Sequence, residues 1–274
     1  MVSDTRTQWV VVTDLDGTML NHDSYDMEAA RSAVKILQAQ DIPIILNTSK
    51  TYAETVSIRD ALGISDAFIV ENGSCIYLPK DDFERPPEAT ERGDYWSIVS
   101  GVTHQVIDAV LAEINLSKDD AVRLSRCTVQ QAVSLTGLSE AQAEHAIARE
   151  FSEPLVWRSG IDSLAIFEQQ LVQNGLTTLQ GGRFLHVIGD SDKGKATTEL
   201  LSCYAGDVKT IVLGDSANDA AMLSVADISI IVSSPSNHQL QKLISADIQI
   251  ERPAPDGWRE AIDRALRQIR TDED

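Results

Sequence analysis

The stretch VVVTDLDGTML, residues 10–20, sets two aspartates, Asp14 and Asp16, at the end of an apolar run. In an extended chain, side chains two residues apart point the same way, so these carboxylates would stand together. They repel each other unless a cation sits between them or one holds a proton, and both arrangements suit catalysis. Gly17 follows and permits a sharp turn. Other apolar runs end in matching chemistry. IPIIL is followed by Asn47, Thr48, Ser49 and Lys50, and TIVLG by Asp215, Asn218 and Asp219. Lys193 and Lys195 flank Gly194 in GDSDKGK. Carboxylates, hydroxyls and an ammonium collected in this way suit Mg²⁺-assisted phosphoryl transfer through a carboxylate nucleophile.

Other readings of the same residues fail on position. A calcium loop starting at Asp14 needs a ligand at its fifth place, Gly at its sixth and Glu at its twelfth. Thr18, Met19 and Tyr25 stand there. GDSDKGK fits the GxxxxGK of a nucleotide-binding loop, but Ala196 occupies the place of the Ser or Thr that holds Mg²⁺. Lys193 is therefore the favoured lysine, with Lys195 a surface residue of the following helix. His22, His104, His145, His186 and His238 show no metal-ligand spacing, and no GxSxG occurs.

The elements that must carry these residues alternate. Trp9 to Thr13 reads as a buried strand. SYDMEAARSAVKILQAQD has helical spacing, with Ala30, Val34 and Leu37 on one face. IPIILNT is a strand, TYAETVSIRDALG a helix closed by Gly63, and DAFIVENG a strand. This order predicts an α/β fold with a Rossmann-like parallel sheet, whose strand ends line the ligand crevice. The charged, proline-containing DDFERPPEATERG reads as a linker. A helix opened by a Ser139 cap and a strand in RFLHVIG follow. The strand–turn–helix rhythm then returns in KTIVLGDSANDAAML, DISIIV, DIQIE and GWREAIDRALRQIR. The expectation is a core domain built from residues 1–83 and 190–274, with an α+β cap domain inserted at 84–189.

Composition narrows the function classes. The chain has 274 residues, 43% of them hydrophobic, and a formal net charge of −19. Such a surface repels phosphate backbones and anionic membranes, so neither nucleic acid nor membrane is an expected partner. A locally positive pocket can still take a small anion. Cys75, Cys127 and Cys203 are too few and scattered for a disulfide framework. The polar MVSDTRTQ has no apolar signal core, and no apolar stretch reaches membrane-spanning length. A reducing cytoplasm is the expected location. The sequence leaves the oligomeric state open.

Taken together, DLDGT, LNTS, DKG and GDSANDAAML resemble the four motifs of the haloacid dehalogenase superfamily of phosphatases, in order. The insertion between the second and third motifs resembles the branch with an α/β (C2B-type) cap. IPIILNTSKTYAE, FIVENG, REFSEP, GGRFLHVIGDSDKGKA and PDGW are similar to the mannosyl-3-phosphoglycerate phosphatases. That family releases phosphate from mannosyl-3-phosphoglycerate to give the compatible solute mannosylglycerate.

The resemblance implies roles. Asp14 attacks phosphorus and forms an aspartyl-phosphate. Asp16 protonates the leaving oxygen and then activates water, so the two environments must split their pKa values. The implied Mg²⁺ ligands are Asp14, the Asp16 carbonyl and Asp215, with Asn218 or Asp219 acting through water. Thr48, the Ser49 N–H and Lys193 hold phosphoryl oxygens. Glu71, Asn72, Arg149, Arg183 and His186 are candidates for sugar and glycerate contacts. Alternatives are the glucosyl analogue, another sugar phosphate, or a scaffold that binds a phosphorylated ligand without turnover.

Overall fold

A computed structural model of the chain describes residues 7–21, 28–181 and 184–273. In chain order the strands are β1 (Gln8–Thr13), β2 (Ile44–Asn47), β3 (Phe68–Val70), β4 (Cys75–Pro79), β5 (Thr90–Arg92), β6 (Tyr95–Val99), β7 (Ala121–Arg123), β8 (Glu153–Trp157), β9 (Thr177–Gln180), β10 (Leu185–Ile188), β11 (Val208–Gly214), β12 (Ile228–Ser233) and β13 (Ile248–Pro253). They form a nine-stranded sheet in the order β13-β12-β11-β1-β2-β3-β4-β6-β5 and a four-stranded sheet in the order β7-β8-β10-β9.

The larger sheet is parallel from β13 to β3 and antiparallel from β3 to β5. Its central strands β1, β2, β3 and β11 are largely buried, which is why they read as continuous apolar runs. In β1, Val11 packs into one layer with Trp258, Ala261 and Ile262 of the closing helix Asp256–Glu273. Val10 and Val12 face the opposite layer, with Ala196, Leu200 and Met222. The chain moves outward in opposite directions on the two sides of β1. The carboxyl ends of β2, β1 and β11 therefore open into a crevice at a topological switch point.

The smaller sheet is wholly antiparallel. The helices His104–Glu113 and Ile161–Gln173 pack on it through Ile107, Leu111, Phe167 and Leu171. A second pair, Val129–Thr136 and Glu140–Ile147, packs around Leu124, Ala132 and Ala143. Both helices of that pair open on capping boxes, from Thr128 and Ser139.

One expectation needs adjusting at the first junction. The segment read as a linker contains β5, a short charged edge strand, and β6 pairs with β4 along its whole length. Charged residues protect an exposed sheet edge and hide such a strand from a hydrophobicity pattern. We propose that the inserted unit begins near residue 100, not at 84, and ends near 189.

Three devices lock the crevice. Trp258 is fully buried, and its indole Nε1 donates to Thr13 Oγ1 at 3.0 Å. Thr13 in turn donates to the Asp14 carbonyl, so the closing helix braces the end of β1. After β3, Glu71, Asn72 and Gly73 adopt successive positive φ values of 48°, 60° and 91°. The Glu71 N–H bonds the Lys50 carbonyl at 3.0 Å and the Asn72 N–H the Thr48 carbonyl at 2.9 Å. This turn is thereby stapled to the loop after β2. A Cβ on Gly73 would lie 2.2 Å from the Asp192 carbonyl oxygen, next to the start of the helix Lys193–Leu201.

Gly73→Ala is therefore expected to lose about 1–3 kcal/mol from the left-handed backbone alone. It should also lose turnover, because the clash displaces Lys193. Chemical denaturation paired with steady-state assays checks this, and unchanged values for both would contradict it.

Candidate active site

The ends of β1, β2 and β11 bring most of the sequence-predicted set together. Lys193 is buried, and its Nζ donates to Asp14 Oδ1 at 2.5 Å and Asp219 Oδ1 at 2.7 Å. Asp219 spends its other oxygen on the Asp215 and Ser216 N–H groups at 2.9 and 3.0 Å. Both of its oxygens are thus engaged, and its direct service is to hold Lys193. Asp215 Oδ1 accepts from Thr18 Oγ1 at 2.9 Å. A Cβ on Gly17 would sit 2.6 Å from Asp215 Oδ2, so only glycine fits this close approach. Asn218 Nδ2 reaches across to Asn72 Oδ1 at 3.2 Å and ties the loop after β11 to the turn after β3.

Asp14, Asp215 and Asp219 offer oxygens within 4.8 Å of one another, and all three are buried. The electrostatics follow from burial first and from that crowding second. Burial raises the Asp14 carboxyl to about 7; Lys193 opposes the shift, and Asp219 and Asp16 add to it. Burial, then Asp219 and Asp14, push Asp215 well above the usual carboxylate range. Burial works against the Lys193 ammonium, but Asp14 and Asp219 outweigh it and raise its pKa. A buried group of carboxylates with one ammonium among them has the donor set of a site for a hard divalent cation.

Lys50 was not singled out from the sequence beyond being one of a run of donors. Its Nζ lies 2.8 Å from Asp16 Oδ2, with its side chain almost wholly buried. Asp16 Oδ1 is buried and has no hydrogen-bond partner among the described residues. The Lys50 N–H also donates to Thr48 Oγ1 at 3.1 Å, which leaves the Thr48 hydroxyl proton for another acceptor. The signal for Lys50 was its place one residue after Ser49. Its partner could not be read from that.

A cavity joins these groups to the inserted unit. Asp14, Asp16, Ser49, Lys50, Asp215 and Asn218 line it from the core, and Arg149, Phe184 and His186 from the insertion. His186 is buried, and its Nδ1 has no partner among the described residues. Burial, with Arg149 and Lys193 nearby, lowers its pKa to about 3, so the ring is neutral and can exchange hydrogen bonds with a hydroxyl-bearing ligand.

Asn72 Nδ2 is buried with no partner among the described residues, whereas Glu71 is engaged within the protein. The Glu71 carboxylate is fully buried and accepts from the Glu150 N–H at 2.9 Å, the Phe151 N–H at 3.1 Å and Ser152 Oγ at 2.6 Å. Arg149 lines the cavity, but its guanidinium is largely engaged. Its Nη2 donates to the Ser49 carbonyl at 2.9 Å, and its Nε lies 3.3 Å from Glu71 Oε2. Arg183 lies outside the described residues. Lys195 is exposed and pairs with Asp190, as befits a surface residue.

The Asp14 shift makes a stability prediction. In the unfolded chain this carboxyl titrates near its ordinary value of 3.8, and in the fold near 7. The folded state holds the extra proton between those values, so its contribution to stability is complete at low pH and lost as pH rises through about 7. With chelator present, Asp14→Asn should gain Tm relative to the wild type as pH rises from about 5 to about 8. A pH-independent difference between the two melting curves would contradict the shift.

The comparisons agree with this geometry. The family profile described as haloacid dehalogenase-like hydrolase matches residues 11–85 and 163–250. A glucosyl-3-phosphoglycerate/mannosyl-3-phosphoglycerate phosphatase of Methanococcoides burtonii is 36% identical over 259 residues, covering 92% of this chain and 95% of the relative. One of the same description from Persephonella marina is 33% identical over 265 residues, covering 95% and 98%. Among solved structures, a haloacid dehalogenase-like hydrolase from B. subtilis superposes with a TM-score of 0.68 at 15% identity, covering 93% of this chain and 98% of that one. A phosphatase of the same superfamily from Bacteroides thetaiotaomicron gives 0.65 at 16%, covering 96% and 97%. The two solved structures agree in fold, and with the profile and the two relatives the conclusion is direct: this chain belongs to the haloacid dehalogenase-like hydrolases and is a phosphatase.

Proposed function

We propose that this phosphatase hydrolyses a sugar-3-phosphoglycerate, mannosyl-3-phosphoglycerate first and its glucosyl analogue as the alternative. The products are phosphate and the glycosylglycerate. The observation that carries the mechanism is the unequal treatment of the two aspartates. Asp14 presents Oδ1 to the Lys193 ammonium at 2.5 Å inside the buried carboxylate cluster, while Asp16, more exposed to the cavity, meets Lys50 through Oδ2 at 2.8 Å and keeps Oδ1 buried with no described partner. The two relatives carry the substrate class, since both are similar over more than nine-tenths of either chain. Free cysteines accord with a reducing cytoplasm.

In this reading Asp14 attacks phosphorus. The bond from its carboxylate oxygen to phosphorus forms as the bond from phosphorus to the glycerate oxygen breaks. Asp16 gives its proton to that leaving oxygen. It then removes a proton from the water that attacks the aspartyl-phosphate, which frees Asp14. Lys193, the Thr48 hydroxyl and the Ser49 N–H hold the equatorial oxygens as charge builds there.

The residues fit Mg²⁺. Asp14, Asp215 and the Asp16 main-chain carbonyl would hold it, with Asn218, or Asp219, whose carboxylate is already engaged, acting through water. A bound Mg²⁺ supplies positive charge that offsets the phosphoryl oxygens and lets an anionic nucleophile approach. The raised Asp14 and Asp215 carboxyls support this, because a cation among them stabilises their ionised forms. From the inserted unit, neutral His186 faces the sugar. Arg183 is proposed for the glycerate carboxylate, which a guanidinium can grip in two parallel hydrogen bonds.

The test is a panel of phosphate esters with Mg²⁺, scored by kcat/KM. Mannosyl- or glucosyl-3-phosphoglycerate should lead it, and preference for an ester without glycerate would reject the substrate class. Asp14→Asn should lose nearly all turnover. Asp16→Asn should lose on the order of 10²–10⁴-fold. Replacing Mg²⁺ by Ca²⁺ should inhibit, since longer bonds and looser coordination spoil an in-line attack. Full activity after exhaustive chelation, with no metal by elemental analysis, would remove the metal from this scheme.

A further inference from the structure

We propose that Glu71 and Arg149 form a latch that couples docking of the inserted unit to the setting of the phosphate-binding loop, and that both are positioning residues and not ligand contacts. The inference rests on the catalytic roles proposed above for Thr48 and Asp16. It does not depend on which sugar the substrate carries.

The latch has a core half and an inserted half. On the core side, Glu71 sits in the left-handed turn after β3, and its own N–H bonds the Lys50 carbonyl. Its carboxylate, which carries no exposed surface, accepts two backbone N–H groups and one hydroxyl from Glu150, Phe151 and Ser152. Three donors and a guanidinium around one buried carboxylate make a built receptor for that segment. A ligand would have to displace them to reach it. Two further contacts tie this part of the inserted unit to the core. Arg92 of β5 grips the Glu150 carboxylate with bonds of 2.6 and 2.8 Å. Thr51 Oγ1 donates to the His145 carbonyl at 2.9 Å.

The inserted half then acts on the loop after β2. With the segment docked, Arg149 Nη2 donates to the Ser49 carbonyl oxygen at 2.9 Å. That oxygen and the Lys50 N–H belong to one peptide unit, which is planar. Fixing the oxygen fixes the direction of the N–H, and this N–H donates to Thr48 Oγ1 at 3.1 Å. Arg149 therefore orients the Thr48 hydroxyl without touching it. The same peptide begins Lys50, whose ammonium holds Asp16 Oδ2 at 2.8 Å. One guanidinium from the inserted unit thus sets a phosphoryl-binding hydroxyl and the partner of the proposed acid. An undocked unit leaves both unset, so turnover requires docking.

Two substrates separate a positioning role from a ligand contact. p-Nitrophenyl phosphate carries the phosphoryl group but neither sugar nor glycerate. Arg149→Ala and Glu71→Gln are expected to lower its kcat by on the order of 10²-fold, with its KM little changed, because a misplaced loop harms any ester. Added guanidinium ion should restore part of the kcat of Arg149→Ala and none of that of Glu71→Gln. Hydrogen exchange at the Glu150 and Phe151 amides should quicken in Glu71→Gln. The double variant should lose no more than the worse single one, since both act through one contact set. If either variant proves poorly folded by thermal melting, Ser152→Ala removes a single hydroxyl and should show a smaller loss in the same kcat pattern. Wild-type kcat on the small ester in Arg149→Ala, or a loss confined to KM for the sugar ester, would overturn the latch. Additive losses, or unchanged exchange at Glu150 and Phe151, would also overturn it. A wrong sugar assignment would show separately, as wild-type enzyme inactive on the sugar esters while the small-ester pattern stands.

Discussion

Everything at this site depends on burying one ammonium among carboxylates at the ends of parallel strands. Lys193 has no exposed surface on its side chain, and an unpaired charge there would be untenable. Asp219 on one side and Asp14 on the other make the burial tolerable. Asp219 is itself fixed by two backbone N–H groups of its own loop. The chain of dependence runs from a loop backbone to Asp219, to Lys193, to Asp14. It gives Asp14 a fixed orientation while leaving the cluster short of positive charge. Burial first, and the neighbouring carboxylates after it, raise Asp14 and Asp215.

The fold supplies the close approaches that this cluster needs. Glycine at position 17 admits Asp215, and glycine at 73 admits the main chain that starts the Lys193 helix. Trp258, distant in sequence, braces Thr13 and through it the carbonyl of Asp14. The strained turn at Glu71 and Asn72 carries backbone conformations that would be unfavourable in isolation. It persists because both N–H groups are used to hold the loop after β2. The inserted unit brings Arg149 and His186 to the cavity over the crevice, so part of its lining comes from a separate small core.

Much of this was legible in the sequence, for a physical reason. Residues at strand ends are announced by the apolar run before them, so Asp14, Asp16, Thr48 and Asp215 could be placed on one edge. Gly63 and Ser139 marked helix ends through their backbone and capping chemistry. What stayed hidden depends on contacts between residue types that have no necessary partner. Glu71 receives backbone N–H groups about 80 residues away, and every residue type except proline has such a group. Arg149 bonds a carbonyl oxygen 100 residues away, equally blind to side-chain identity. The family resemblance offers both as candidates for ligand contacts, and neither residue type shows in sequence that its partner is the main chain of another segment. Lys50 stood in plain view, yet only the fold shows that it meets Asp16. The β5 strand was lost to its charges, which suit a sheet edge and look like a linker.

The central claim is that Asp14, and not Asp16 or water alone, takes the phosphoryl group. The direct measurement is a rapid acid quench of a single turnover, followed by borohydride reduction and peptide mass spectrometry. An acyl phosphate at residue 14 is reduced to a homoserine at that position, whereas an unmodified carboxylate is untouched. The account predicts this change at residue 14 during turnover, and its absence in Asp14→Asn. Phosphate release with residue 14 unreduced at every quench time, or the same mark at Asp16, would contradict it.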